Sequence, residues 1–162
     1  MDLQLRKICP DDNPAIAAIV RSSLEEFSAN QPGTAYYDES IDHLSDSFEA
    51  PRHAYFVAVL DKKVIGGGGI FPTKGLPEDI CELVKMYLLP EARGRGIGKR
   101  IIHACITEAL SMGYQKIYLE TMDELSQAVQ VYEKLGFKKL SEPLGDSGHY
   151  NCKIWMLKEI AS

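Results

Sequence analysis

Residues 93–100 read Arg-Gly-Arg-Gly-Ile-Gly-Lys-Arg, three glycines alternating with cations, between a strand-like run and a long segment of helical periodicity. A glycine-rich turn from strand to helix exposes several backbone N–H groups at the helix amino end. Those donors, together with the helix dipole, favour a phosphate or pyrophosphate. A side chain at Gly94, Gly96 or Gly98 would hold the phosphate away, and Arg93, Arg95, Lys99 and Arg100 add positive charge where a polyanion would sit. Three spacings compete. A P-loop needs four residues between its first Gly and Gly-Lys, then Ser or Thr; here three intervene before Gly98-Lys99, and Arg100 follows. A dinucleotide fingerprint needs glycine where Lys99 stands, and it normally follows the first strand of a β-α-β repeat. The remaining spacing, R-x-x-G-x-G, is matched by Arg93, Gly96 and Gly98.

Other groups with chemical potential are scattered. Glu82 lies on the strand leading into the glycine turn, where period-two alternation puts Glu82, Val84, Met86 and Leu88 on one face. An ion pair with Lys85 is the structural alternative for that carboxylate. Tyr132 shares a helical stripe with Ala128 and Leu135, as a core aromatic would. His149 and Cys152 have ligand-like spacing, but two groups do not make a zinc site; the four cysteines (Cys9, Cys81, Cys105, Cys152) form no C-x-x-C pair, so no metal is expected. Cys105 falls on an apolar helix stripe and reads as core. A second glycine tract, Gly66 to Gly69, sits inside a strand, where it implies a bulge, close packing of a helix, or room for a ligand.

The elements that position these residues follow from periodicity. Leu3 and Leu5 alternate with polar neighbours in a strand over 2–8. Asp11 or Asp12 then caps a helix with Pro14 in its first turn and Ile16, Ile19, Val20, Leu24 and Phe27 on one face. Residues 28–40 form a loop, followed by a short helix with Ile41, Leu44 and Phe48 in register. Strands 55–60 and 64–71 make a hairpin around Asp61-Lys62-Lys63, and 78–89 is a third strand. A helix through Ile97, Ile101, Cys105 and Ala109 closes at Gly113, 116–121 is a buried strand, and a helix over 124–135 ends at Gly136. FKKL and NCKIWMLKEI supply the last two strands. The order β-α-α-β-β-β-α-β-α-β-β predicts a mixed, mostly antiparallel sheet flanked by helices, with one β-α-β crossover.

A chain of 162 residues, 45% hydrophobic and 25% charged, has the apolar content of one globular domain, 1–162, and excludes a disordered or fibrous protein. Its net charge of −5 argues against nucleic acid as a partner. No apolar segment resembles a signal peptide or approaches the ~20 residues that span a bilayer, so a cytoplasmic protein without membrane contact is expected.

In this order of elements, and in two motifs, the chain resembles the GCN5-related N-acetyltransferase (GNAT) superfamily. Arg93-Gly94-Arg95-Gly96-Ile97-Gly98 is similar to the family's acetyl-CoA pyrophosphate loop, and V-Y-E-K-L-G-F (131–137) is similar to its carboxyl-side signature. The resemblance implies acetyl-CoA as cosubstrate and transfer to a primary amine of a small molecule, amino acid or peptide, by a monomer or homodimer. It implies Glu82 as base acting through water, Tyr132 as the acid that protonates the departing thiolate, and backbone amides near Met86 and Leu88 as pantetheine partners. Lys99 and Lys134 would approach phosphate. Ser126 stands six residues before Tyr132, where many family members carry a CoA-contacting Asn; its shorter hydroxyl would act through water or cap the helix. The acceptor side would draw on Tyr36, Tyr37, Gly68 and His149. A non-catalytic acyl-CoA sensor on the same fold is the alternative, and would lose the acid and the base.

Overall fold

The computed structural model describes residues 2–161. Its strands are β1 (Leu3–Lys7), β2 (Ala54–Leu60), β3 (Lys63–Phe71), β4 (Ile80–Leu88), β5 (Lys116–Thr121), β6 (Lys138–Leu140) and β7 (Ile154–Glu159). Three α-helices, α1 (Asn13–Glu26), α2 (Ile97–Ser111) and α3 (Ser126–Lys134), connect them in the expected order. The helix expected around Ile41 is a 3-10 segment, Glu39–Phe48, broken at His43 (φ −131°, ψ 38°). Asp12 precedes α1 without capping it by its side chain. Its carboxylate instead takes the guanidinium of Arg6 at 2.7 and 3.0 Å and the Cys9 N–H at 2.9 Å, so it fastens β1 to the turn before the helix.

All seven strands form one sheet in the order β1-β2-β3-β4-β5-β7-β6. Only β4 and β5 run parallel, because α2 is the crossover between them; the other pairs are antiparallel. Alternation along β2 shows how the layers form. Ala54, Phe56 and Ala58 pack with α2, while Tyr55, Val57 and Val59 pack with α1 and the 39–48 segment. The α2 layer also takes Val129, Tyr132 and Phe137 from α3 and the turn after it. Among the described residues no helix is long and apolar enough to cross a membrane.

Candidate active site

The parallel pair β4–β5 stays in register for three residues only, ending at Glu82 opposite Tyr118. Beyond that point β4 continues to Leu88 and β5 to Thr121 without pairing to each other, so the sheet opens into a cleft with Glu82 at its root. A bulge in β4 shapes one wall. Lys85 has φ +52°, and the register against β3 shifts there. Cys81 and Leu83 face α2 before the bulge, and Met86 and Leu88 face α2 after it. The alternation expected from sequence therefore fails: Met86 and Leu88 lie on the opposite face from Glu82, because the extra residue reverses the pleat.

The glycine tract has its explanation in the same bulge. A Cβ on Gly67 would meet the Tyr55 ring at 2.6 Å, and one on Gly69 would meet the Ala54 carbonyl at 2.5 Å. On the other face, a Cβ on Gly68 would meet Met86 Sδ at 2.6 Å and Ile101 at 3.1 Å. Gly68 thus lies under the α2 layer, against Met86 and Ile101. The glycines make room for Tyr55, whose hydroxyl donates to the Lys85 carbonyl at 2.7 Å and pins the bulge.

The bulge turns Lys85 into a pocket on the α1 side, lined by Leu24, Thr34, Ala35, Glu82, Tyr87, Glu120, Met122, His149 and Cys152 among others. The Lys85 ammonium meets Asp38 at 2.5 Å, and Asp38 also receives His149 Nε2 at 2.9 and 3.0 Å. Burial by itself would raise the Asp38 pKa, but the His149 hydrogen bond and the charge of Lys85 more than offset it, holding that carboxyl below its usual range. Glu82 goes the other way. It is 3% exposed, and burial pushes its carboxyl up to about 7, with the neighbouring Glu120 adding to the rise and the Thr73 hydroxyl, 2.5 Å from Oε1, moderating it. Glu120 accepts from Tyr118 Oη at 2.6 Å and from the Ser147 hydroxyl. Burial pushes the Cys152 thiol up to about 12, so it stays protonated and is no nucleophile at neutral pH.

The glycine turn stands beyond the far end of β4. A 3-10 turn (Pro90–Ala92) leads to Gly94 at φ +74° and Gly96 at φ +77°, and α2 begins at Ile97. The left-handed backbone requires glycine at both, and a Cβ on either would meet nothing within 4 Å, so this surface is open. The first-turn N–H groups of α2 have no partner within the helix and face outward with exposed Arg95, Lys99 and Arg100 nearby. That is the donor set a pyrophosphate needs. Arg93 has different work from the phosphate contact expected of it. Its guanidinium grips Glu26 of α1 at 2.7 and 3.1 Å and the Leu88 carbonyl at 3.0 Å, tying the turn to the first helix.

Of the other expected residues, His149 reaches the Glu82 pocket. Tyr36 and Tyr37 do not: Tyr36 donates to Glu25 at 3.0 Å and Tyr37 is exposed, while their neighbours Thr34 and Ala35 line the pocket and Asp38 bonds its Lys85 and His149. Tyr132 is buried with its ring against Phe137, on the α2 side of the cleft. Ser126 begins α3 and Lys134 ends it, both exposed. Sequence reading missed Asp38, Thr73 and Glu120. Glu120 carried a signal, a carboxylate within an otherwise buried strand.

Comparison with known proteins identifies the company this chain keeps. The profile described as "Acetyltransferase (GNAT) family" matches residues 16–137. The uncharacterized N-acetyltransferase YjgM of Escherichia coli is 40% identical over 157 residues, covering 96% of this chain and 94% of that protein. A GNAT-family acetyltransferase from Staphylococcus aureus has the same fold, with a TM-score of 0.82, 16% identity and coverage of 98% and 99%. So does the PaiA N-acetyltransferase of Thermoplasma acidophilum, solved in complex with coenzyme A, with a TM-score of 0.76, 20% identity and coverage of 98% and 99%.

Proposed function

The chain belongs to the acetyltransferase (GNAT) family, and from that premise we propose that it transfers an acetyl group from acetyl-CoA to a primary amine of a small molecule, amino acid or peptide. The observation that carries this reading is the buried carboxyl of Glu82 at the root of the β4–β5 cleft, with an open glycine turn at the far end of the same strand. Coenzyme A in the Thermoplasma protein of like fold supports the assignment of cosubstrate.

In this reading the backbone N–H groups of 94–98 and the first turn of α2, with Arg95 and Lys99, hold the pyrophosphate; Ser126 and Lys134 flank it. The exposed β4 edge at the cleft, around Met86 and Leu88, offers backbone groups to the pantetheine arm. An amine with pKa near ~10 arrives as ammonium. Glu82, with its pKa near 7, takes the proton through water, and the freed amine attacks the thioester carbon. A C–N bond forms, the C–S bond breaks, and the thiolate takes a proton from Tyr132. Burial raises the Tyr132 phenol above its ordinary range, so it carries its proton at neutral pH. The pocket lined by Lys85, Glu120 and His149 receives the acceptor.

Thiol release from acetyl-CoA across a panel of amines, amino acids and peptides tests the reading. Release that depends on the acceptor is expected, and Tyr132→Phe should lower kcat while leaving the KM for acetyl-CoA nearly unchanged. Binding of coenzyme A with no release from any acceptor would overturn the transferase reading in favour of a sensor.

A further inference from the structure

In sequence, His149 and Cys152 have ligand-like spacing but do not make a metal site by themselves. The fold surrounds His149 differently. One ligand atom each from Glu82, Glu120 and His149 lies within 4.8 Å of the other two, supplied by β4, β5 and the segment between β6 and β7. Each of the three is oriented by a further group. Thr73 fixes Oε1 of Glu82. Tyr118 and Ser147 each hold one oxygen of Glu120. Asp38 holds His149 through Nε2, which leaves Nδ1 as its second ring nitrogen.

An imidazole that gives one nitrogen to a carboxylate and its other to a cation, beside carboxylates that are themselves hydrogen-bonded, is the usual build of a protein metal site. The neighbouring ammonium does not take that cation's place, because Lys85 is committed to Asp38 at 2.5 Å. One imidazole nitrogen and two carboxylate oxygens suit a borderline divalent ion such as Zn²⁺ or Mn²⁺.

We propose that Glu82, Glu120 and His149 bind a divalent transition-metal ion, with its remaining coordination positions open to the acceptor pocket. Ligand atoms at about 2.1 Å from an ion stand roughly 3–3.5 Å apart, so binding draws the three together by small side-chain rotations. The metal and the acceptor amine then compete for Glu82. That competition rests on the proposed acetyl transfer; the binding itself does not.

Calorimetric titration of the chelator-stripped protein with Zn²⁺, without acetyl-CoA, is the direct test. One ion per chain is expected, bound at least about tenfold more weakly by Glu120→Gln and by His149→Ala. Cys9→Ser and Cys152→Ser should bind as the parent does. Co²⁺ added to the unaltered protein provides a measurement that needs no variant: visible d–d bands without intense thiolate charge transfer are expected. Absence of binding, unchanged affinity in both ligand variants, or a thiolate band would each overturn the site. Kinetics separate this from the functional reading: Zn²⁺ should inhibit competitively against the amine. An active enzyme that binds no ion refutes the metal site alone, and a metal-binding protein with no acetyl transfer refutes the reaction alone.

Discussion

A carboxyl group removed from water and set beside a second carboxylate keeps its proton to higher pH, and Glu82 is in that position. Its folded-state pKa near 7 stands above the ordinary 4.5, so between those values the folded chain binds a proton that the unfolded chain has released. Two consequences have opposite signs. Acetyl transfer should rise as pH increases through about 7, because only ionised Glu82 accepts a proton; Glu82→Gln should flatten that rise and lower kcat/KM by roughly 10²–10⁴-fold. Stability attributable to this group, by contrast, is fully present below pH 4.5 and declines as pH rises toward 7. Glu82→Gln keeps a partner for Thr73 and removes the buried charge, so at alkaline pH it should be more stable than the parent, by up to about 3 kcal/mol. Paired pH–rate and thermal-melting profiles check both. A variant less stable than the parent at alkaline pH would show that the carboxylate is already compensated.

At the scale of elements, β4 does most of the positioning, and its bulge is what local sequence could not reveal. Lys85 is a non-glycine residue in the left-handed region, and nothing in its neighbours marks it. The helices and most strands were legible because period-two and period-3.6 patterns are local, and the 93–98 turn was legible because its glycine spacing is. Asp38, Thr73, Glu120 and Ser147 were not, since each reaches the group of Glu82, Glu120 and His149 from a different element and has unremarkable chain neighbours. The glycine tract was visible but ambiguous until Tyr55 and Met86 were seen against its two faces. That two-sidedness can be measured. At Gly69 a methyl would confront the Ala54 carbonyl and the Tyr55 ring, both fixed; at Gly68 it would meet the mobile thioether of Met86 first. Gly69→Ala should therefore cost about 3 kcal/mol or more in urea unfolding, and Gly68→Ala nearer ~1 kcal/mol. Equal costs would mean that the α2 face is as unyielding as the backbone.

For the molecule as a whole, Asp38 joins parts of the chain that the sheet does not bring together. It binds Lys85 of β4 and His149 of the segment between β6 and β7, next to the Asn151 N–H bond to the Gly33 carbonyl at 3.0 Å. The Lys85 side chain is 8% exposed, so removing its partner leaves a charge that water barely reaches. Asp38→Asn should accordingly destabilise the folded state at neutral pH by about 3 kcal/mol. The sign of the pH dependence is opposite to that of Glu82. Because the folded-state pKa of Asp38 lies below the ordinary 3.8, its contribution is present above that value and is lost as pH falls through the folded one. Asp12, held below its usual range by Arg6 and Cys9 against the cost of burial, adds to the same acid limb, so only the difference between parent and variant isolates Asp38. Thermal melts from about pH 8 down to about pH 3 should show a gap that is widest near neutrality and narrows at the acid end. A gap that keeps its full width in acid would mean that the variant loses shape complementarity rather than charge.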